Sequence, residues 1–410
     1  MNSPVCPTRS AKRARAPAPW SPRPGPPPTR TAPPPPSAPP RPPPEDHVHH
    51  TPASAPAPAP ATTAPETPRP GRAGHRYDID LIRLLCSIAV IGLHTGSAFV
   101  NTVGRTAAEG PGTYWAGLTA DSAGRFAVPL FFAIAGWVVL VGAPPKDGAR
   151  LRRRIVRIVV PLAVWTALYL AWGKLRDTND DPVRQLALDS VFASVRPAYH
   201  LWYLYAYLPV IMVLGLVVLV RAGKRPWGLG AVLLVLASAP SLLGDLAEAT
   251  GRELPRFGWA FAPYQLIYAV LGALILAAPA GAFGRRRWPW LLLAAAGLAG
   301  VIAYQHEVHY AIPYAHVLVA LFSCGVLVSL HGVRVPERMR PTLARLSEAS
   351  FGAYLVHVLM LGVLTDAFVG ADLGGPAAVA LVAGITVATT ALSFGAALLW
   401  GRAGASKVLG

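Results

Sequence analysis

From Tyr77 onward the chain alternates between long apolar stretches and short polar connections. A helix needs about 20 apolar residues to cross a hydrocarbon core of ~30 Å, and that length recurs here. Ten such stretches are expected, at roughly 79–100, 122–142, 155–172, 200–220, 228–245, 262–280, 288–304, 312–331, 350–370 and 377–400. Runs such as "LPVIMVLGLVVLV" and "LLLAAAGLAGVIAY" leave no polar face for water, as a soluble amphipathic helix would. The third and seventh are the weakest, and a tilted or partly re-entrant course is expected there. The fold class is therefore all-α, a polytopic integral membrane bundle of about ten transmembrane helices.

The polar connections orient the bundle. The link between the second and third stretches, "KDGARLRRRIVR", carries six basic residues. Later even-numbered links are "RAGKR", "GRRRW" and "RVPERMRPTLAR", while odd-numbered ones such as "KLRDTNDDPVRQ" and "EATGRELPR" offset their bases with acids. Lys and Arg accumulate on the cytosolic side of membrane proteins. An even number of crossings then places both termini in the cytoplasm of a multi-pass protein in a bacterial-type inner (cell) membrane.

Composition agrees. The chain is 53% hydrophobic and 14% charged, against about 25% charged in a typical soluble domain. The net charge of +17 would suit a nucleic-acid partner if it formed one surface, but it is dispersed between the tail and the one-sided loops. No nucleic-acid partner is expected; the partner is the lipid bilayer. Residues 1–76 hold 25 of the 43 prolines, in runs such as "PPPPSAPPRPPP", and form an expected disordered Pro/Ala-rich cytoplasmic tail. It lacks the apolar core of a secretory signal. Its "HVHH" at 47–50 reads as solvated linker. Cys6, Cys86 and Cys324 are too few and too scattered for a disulfide framework or a CxxC metal pattern. No metal is expected.

Polar residues inside the apolar stretches carry the chemistry. A charge at the centre of a spanning helix costs roughly 2.5–3.5 kcal/mol on insertion scales, so such residues face a protein interior. In "DIDLIRLLCSIAVIGLHTGSAFV", Arg83 and His94 are eleven residues apart, which at 100° per residue leaves them about 20° from overlap. They share a face with Asp80 and Ser87, at opposite ends of a stripe roughly 16 Å long. Two readings are open: a snorkelling Arg83 paired with Asp80 and a His94 bonded to a neighbouring helix, or a functional stripe. In "SFGAYLVHVLML", Ser350, Tyr354 and His357 again share one face. They form either an interhelical network or part of a site. Arg154 and Arg157 stand where the third stretch enters the membrane, and guanidinium forks there suit phosphates. His316 reads as a packing histidine, and "HEVH" at 306–309 as a surface loop.

Five segments in order resemble the acyltransferase 3 family of integral membrane acyltransferases. The first helix, "DIDLIRLLCSIAVIGLH", is similar to the family's "iD-l-R" pattern with an Arg followed after ten residues by a His. "VPLFFAIAGWVVL" resembles its "vplFFfiSGfvl", with Ala135 in place of the usual serine. "RLRRRIVRIVVPLAVW" resembles its R-x-x-R loop, "HLWYLYAYLP" its "hlWfl" segment, and "SFGAYLVHVLML" its "S-f-x-x-Y-l-x-H" signature. The expected domain covers 77–405, a stand-alone type without the SGNH esterase-like domain that some members carry.

The resemblance implies an O-acyltransferase that moves an acyl group, most often acetyl, from cytosolic acyl-CoA to a hydroxyl of a glycan, a lipid-linked sugar or a secondary metabolite. It implies His94 and Arg83 as catalytic residues, with Asp80, Ser350, Tyr354 and His357 supporting them. Arg83, Arg154 and Arg157 would hold acyl-CoA, which is a co-substrate. His94 would act as general base on the hydroxyl or carry the acyl group transiently. A proton-coupled transporter with a buried His/Arg relay is the main alternative, but the two halves show no inverted repeat. A partner-binding scaffold, or the other multi-helix acyltransferase class that acts on lipids and peptides, leaves the first-helix pair unexplained.

Overall fold

The computed structural model describes residues 75–410, except 177–180, 193–198, 255–256 and 280. The Pro-rich tail up to residue 74, with "HVHH" and Cys6, lies outside the described residues. The described residues form thirteen helices and no strand. In chain order these are α1 (Tyr77–Thr102), α2 (Pro111–Gly124), α3 (Ala127–Trp137), α4 (Gly148–Leu175), α5 (Val183–Val191), α6 (Trp202–Arg221), α7 (Trp227–Thr250), α8 (Pro263–Ala277), α9 (Trp288–Glu307), α10 (Val317–Leu330), α11 (Arg340–Phe368), α12 (Gly375–Arg402) and α13 (Ser406–Leu409).

Helix starts are written in the sequence. α2, α8, α9, α11 and α12 each place a proline in the first turn, where its missing N–H costs nothing. Asp147 caps α4 by accepting from the Arg150 amide at 2.7 Å. Asp78 and Asp80 lie in the first turn of α1, where carboxylates oppose the helix dipole.

Eight helical stretches among the described residues are long and apolar enough to cross a membrane. The other two expected stretches, 262–280 and 312–331, are the shorter apolar helices α8 and α10. The stretches expected to be weak, 155–172 and 288–304, lie within the full-length helices α4 and α9. The second stretch differs most from expectation. Residues 111–121, read from the sequence as connection, are helical, and α2 and α3 together form a span from Pro111 to Gly142 interrupted at Arg125–Phe126. The reason is packing rather than hydropathy. Gly117 and Gly124 on α2 bring its backbone onto α1, where a Cβ at Gly124 would lie 2.4 Å from the Ala89 carbonyl oxygen.

α1 is packed by α2, α3, α11 and α12. α3 lies tightly on α8, and α9 on α10. The largest core joins Phe132 of α3, Tyr169 of α4, Ile211 of α6, Ala269 of α8 and Leu355 of α11. α1 and α11 run parallel in register, with Arg83 opposite Ser347 and His94 opposite His357. α7 contributes no buried residue and lies outside this core.

Candidate active site

The two ends of the α1 stripe are held in different ways. At the α1 N-terminal end, Arg83 Nη1 donates to Ser347 Oγ (2.9 Å), which donates to Asp80 Oδ1 (2.8 Å); Arg83 itself is 3.6 Å from Asp80. Asp80 Oδ2 also meets His75 Nε2 at 2.5 Å. The next acid, Asp78, is forked by Arg76 at 2.8 Å and accepts from the Gly332 amide at 2.9 Å, which ties the start of α1 to the α10–α11 connection. Arg83 is thus aimed by a carboxylate and a hydroxyl from two helices. Ser87 donates to the Arg83 carbonyl and takes no part in this.

At the other end three imidazoles meet. The His94 ring stacks on His357 at 5.3 Å, and His357 meets His200 edge-on at 5.1 Å. His357 Nδ1 lies 2.5 Å from the Tyr354 carbonyl, which can only accept. In the neutral ring Nδ1 therefore carries the proton and Nε2 presents a lone pair, and Nε2 has no partner among the described residues. His200 is 1% exposed, and among the described residues neither of its ring nitrogens has a partner in good hydrogen-bonding geometry. Tyr354 Oη donates to the His200 carbonyl (2.6 Å) and fixes the start of α6 against α11. His94 Nδ1 has a long contact with Tyr199 Oη at 3.4 Å.

A cavity of about 330 Å³ connects the two ends. Arg83 and Arg154 line it, as do His94, His200, Ser350 and Tyr354. Most of the remaining lining is apolar or aromatic, including Val90, Val128, Phe131 and Ile134. A second hollow of about 490 Å³ is lined by Arg150, Arg153, Arg154 and Arg157 with Ile158 and Phe351. Arg154, Ile158 and Phe351 line both, so the basic surface and the cavity adjoin. Arg154 donates to the Ala143 carbonyl (2.7 Å) through one nitrogen, while its buried Nη1 has no partner among the described residues.

The structure brings Arg83, Asp80, His94, Arg154, Ser350, Tyr354 and His357 to or beside one cavity. Arg157 lines only the outer basic hollow. Ser350 Oγ donates to the Leu346 carbonyl of its own helix and bonds none of the other candidates. His316 caps α10 by accepting from the Leu318 amide and packs on Tyr304 at 4.6 Å. His306 of "HEVH" is held by Tyr114 Oη at 3.0 Å and the Trp115 ring at 4.5 Å. Among the described residues no group of three His, Cys, Asp or Glu is arranged to hold a metal ion.

Sequence reasoning missed Ser347, His200 and a buried ion pair. Ser347 lies one helical turn before Ser350 and looks the same in sequence; only the α1–α11 register separates them. His200 stands in "HLWYLYAYLP", where a place at the very start of the apolar run gives no sign of a buried ring. Arg125 forks Asp121 (2.7–3.0 Å), and Gln305 donates to Asp121 (2.9 Å) and Ser122 (2.7 Å). Asp121 falls outside the apolar stretch 122–142, so hydropathy alone does not show the pair. Its spacing of four in a helix was the available signal. Arg125 lies 5.7 Å from the Tyr314 ring, which also lines the cavity.

The family model described as an acyltransferase domain, of the acyltransferase 3 type, matches residues 76–398, more than three quarters of the chain. No curated protein and no solved structure matches it.

Proposed function

The chain belongs to the acyltransferase 3 family and is a multi-pass membrane O-acyltransferase, and from that premise we propose that it moves an acetyl group from cytosolic acetyl-CoA to a hydroxyl of a glycan, a lipid-linked sugar or a secondary metabolite. The observation that carries this reading is that Arg83 and His94, from one helix face, line opposite parts of one cavity whose basic end adjoins four arginines. The nucleotide and phosphates of CoA are anionic and suit that basic hollow, where Arg154 and Arg157 would grip them by charge-assisted bonds. The pantetheine arm would follow the stripe, past Arg83, and present the thioester to His94.

In this reading His94 removes the proton of the acceptor hydroxyl as its oxygen attacks the thioester carbonyl carbon. The tetrahedral intermediate collapses by breaking the carbon–sulfur bond, the sulfur takes the proton from His94, and the ester and free CoA leave. Asp80 holds Arg83, Tyr354 holds the start of α6, and His357 backs the His94 ring. Ser350 serves the α11 backbone beside the cavity. The basic face of the membrane domain, and the tail that precedes His75, would lie on the cytoplasmic side of a bacterial-type inner membrane.

The test is thiol release from acetyl-CoA by the detergent-purified full chain, with water standing in for the acceptor. Wild type is expected to release CoA slowly, His94→Ala to lose that release while still binding CoA, and Arg83→Ala to bind CoA more weakly. A folded wild type that neither binds nor cleaves acetyl-, propionyl- or longer acyl-CoA would reject the donor assignment and return the transporter reading to the front.

A further inference from the structure

Four tyrosines line the cavity, and they are not alike. Tyr354 spends its hydroxyl on the His200 carbonyl, and Tyr314 lies under the Arg125 guanidinium. Tyr203 and Tyr207, both on α6, have no hydrogen-bond partner among the described residues. Neither hydroxyl is among the polar atoms sealed away without a partner, and both residues line the cavity. Their rings are fixed all the same. They pack on each other at 5.5 Å, and Tyr203 also packs on Phe132 at 4.9 Å. Two immobilised phenols without partners among the described residues, in a lining whose remaining side chains are mostly apolar or aromatic, are matched to polar groups of a ligand.

Their heights say which groups. α6 enters the cavity at the level of the histidines, because His200 lies 5.1 Å from His357, which stacks on His94. At 1.5 Å per residue, Tyr203 lies about 4–5 Å from that level and Tyr207 about 10 Å, toward the basic face. Arg83 lies roughly 16 Å from His94 along α1. In an extended acyl-pantetheine the first amide follows the thioester carbonyl by about four bonds, and the second amide follows the first by another four. With backbone-like bond lengths that is about 5 Å and about 10 Å, and the pyrophosphate begins about 17 Å away. The spacing of two amides across a β-alanine unit equals the ~6 Å rise between i and i+4 on one helix face to within about an ångström.

Resting on the acyl-CoA reading above, we propose that Tyr203 and Tyr207 form a two-rung ladder that hydrogen-bonds the two amides of the donor's pantetheine arm, Tyr203 the amide nearer the thioester and Tyr207 the one nearer the phosphates. The ladder sets how far the arm extends and delivers the thioester at the height of His94. It also selects a pantetheine thioester over a simple one.

The test uses the full detergent-purified chain and four donors: acetyl-CoA, S-acetyl-pantetheine, S-acetyl-N-acetylcysteamine, which keeps only the first amide, and S-ethyl thioacetate, which has neither. Thiol release is measured for wild type, Tyr203→Phe and Tyr207→Phe, with thermal unfolding of each variant to show that it is folded. Deleting one neutral hydrogen bond is expected to lower kcat/KM by roughly threefold to tenfold. Tyr207→Phe should show that loss with acetyl-CoA and S-acetyl-pantetheine and none with the cysteamine or ethyl thioester. Tyr203→Phe should lose activity on all three amide-bearing donors and none on S-ethyl thioacetate. Losses that are equal across donors, or absent from all of them, would overturn the ladder while leaving the acyl-CoA reading intact. A wild type inactive on every donor would overturn that reading and the ladder with it.

Discussion

Arg83 shows how little of a side chain's role lies in its own position. An arginine near the end of a spanning helix ordinarily snorkels, and its head then floats. Here Ser347 receives from Arg83 and gives to Asp80, a relay across two helices that holds the guanidinium at the cavity wall. Removing that hydroxyl breaks the relay and leaves Arg83, among the described residues, only its 3.6 Å contact with Asp80 to hold it in place. Ser347→Ala is expected to raise KM for acetyl-CoA about threefold to tenfold with kcat nearly unchanged, because His94 is at the far end of the stripe. Ser350→Ala should stay within about twofold, since its hydroxyl bonds its own helix. Steady-state kinetics of thiol release separates the two. A larger effect at Ser350 would mean that the α11 face meets the donor directly. The stripe on α1 was readable because a helical period is local. Ser347 and His200 were not, because their partners come from helices far away in the chain, and no local period reports which face of α11 or α6 turns toward α1.

At the level of elements, hydropathy located all ten apolar stretches but could not see how they pack. α8 is short and still part of the bundle because α3 meets it at nearly backbone distance. A Cβ at Gly136 would lie 1.8 Å from the Ala269 carbonyl oxygen, and one at Gly272 would lie 2.1 Å from the Ala133 Cβ. Close approach of this kind supplies the dispersion contacts that hold membrane helices together where the hydrophobic effect does not. It also explains α2, whose glycines join it to α1 although its sequence reads as a polar connection. Gly136→Ala forces the α3 backbone away from α8 at a cost of about 1–3 kcal/mol, the usual penalty of overpacking. The detergent-solubilised variant should unfold several degrees lower than wild type. Gly395 on α12 has nothing within 4 Å of where its Cβ would stand. Gly395→Ala should therefore melt at or slightly above the wild-type temperature, since alanine is the better helix former. Equal melting of the two variants would mean that the α3–α8 seam is not a stabilising contact.

For the molecule as a whole, the decisive feature is the asymmetry between its two faces. The basic hollow of Arg150, Arg153, Arg154 and Arg157 lies on the side where α1 and α11 begin, and the three imidazoles lie about 26 Å along α1 from its first residue. That distance is most of a ~30 Å hydrocarbon core, so an acyl group delivered to His94 has already been carried into the far half of the bilayer. On the proposed reading the cavity would be a conduit for the acyl-bearing arm while the phosphates stay at the basic mouth, where arginine compensates them and hydrocarbon does not. Only one orientation supplies such a site with cytosolic acyl-CoA, the one in which the Lys- and Arg-rich connections face the cytoplasm. Acetyl-CoA cannot cross lipid because of its phosphates, so sealed vesicles report the orientation. Inverted vesicles, with the basic face outward, should consume added acetyl-CoA at the same rate before and after permeabilisation. Right-side-out vesicles should be inactive until permeabilised. The reverse pattern would put the donor site and both termini on the outer side, and the positive-inside assignment would fail with it.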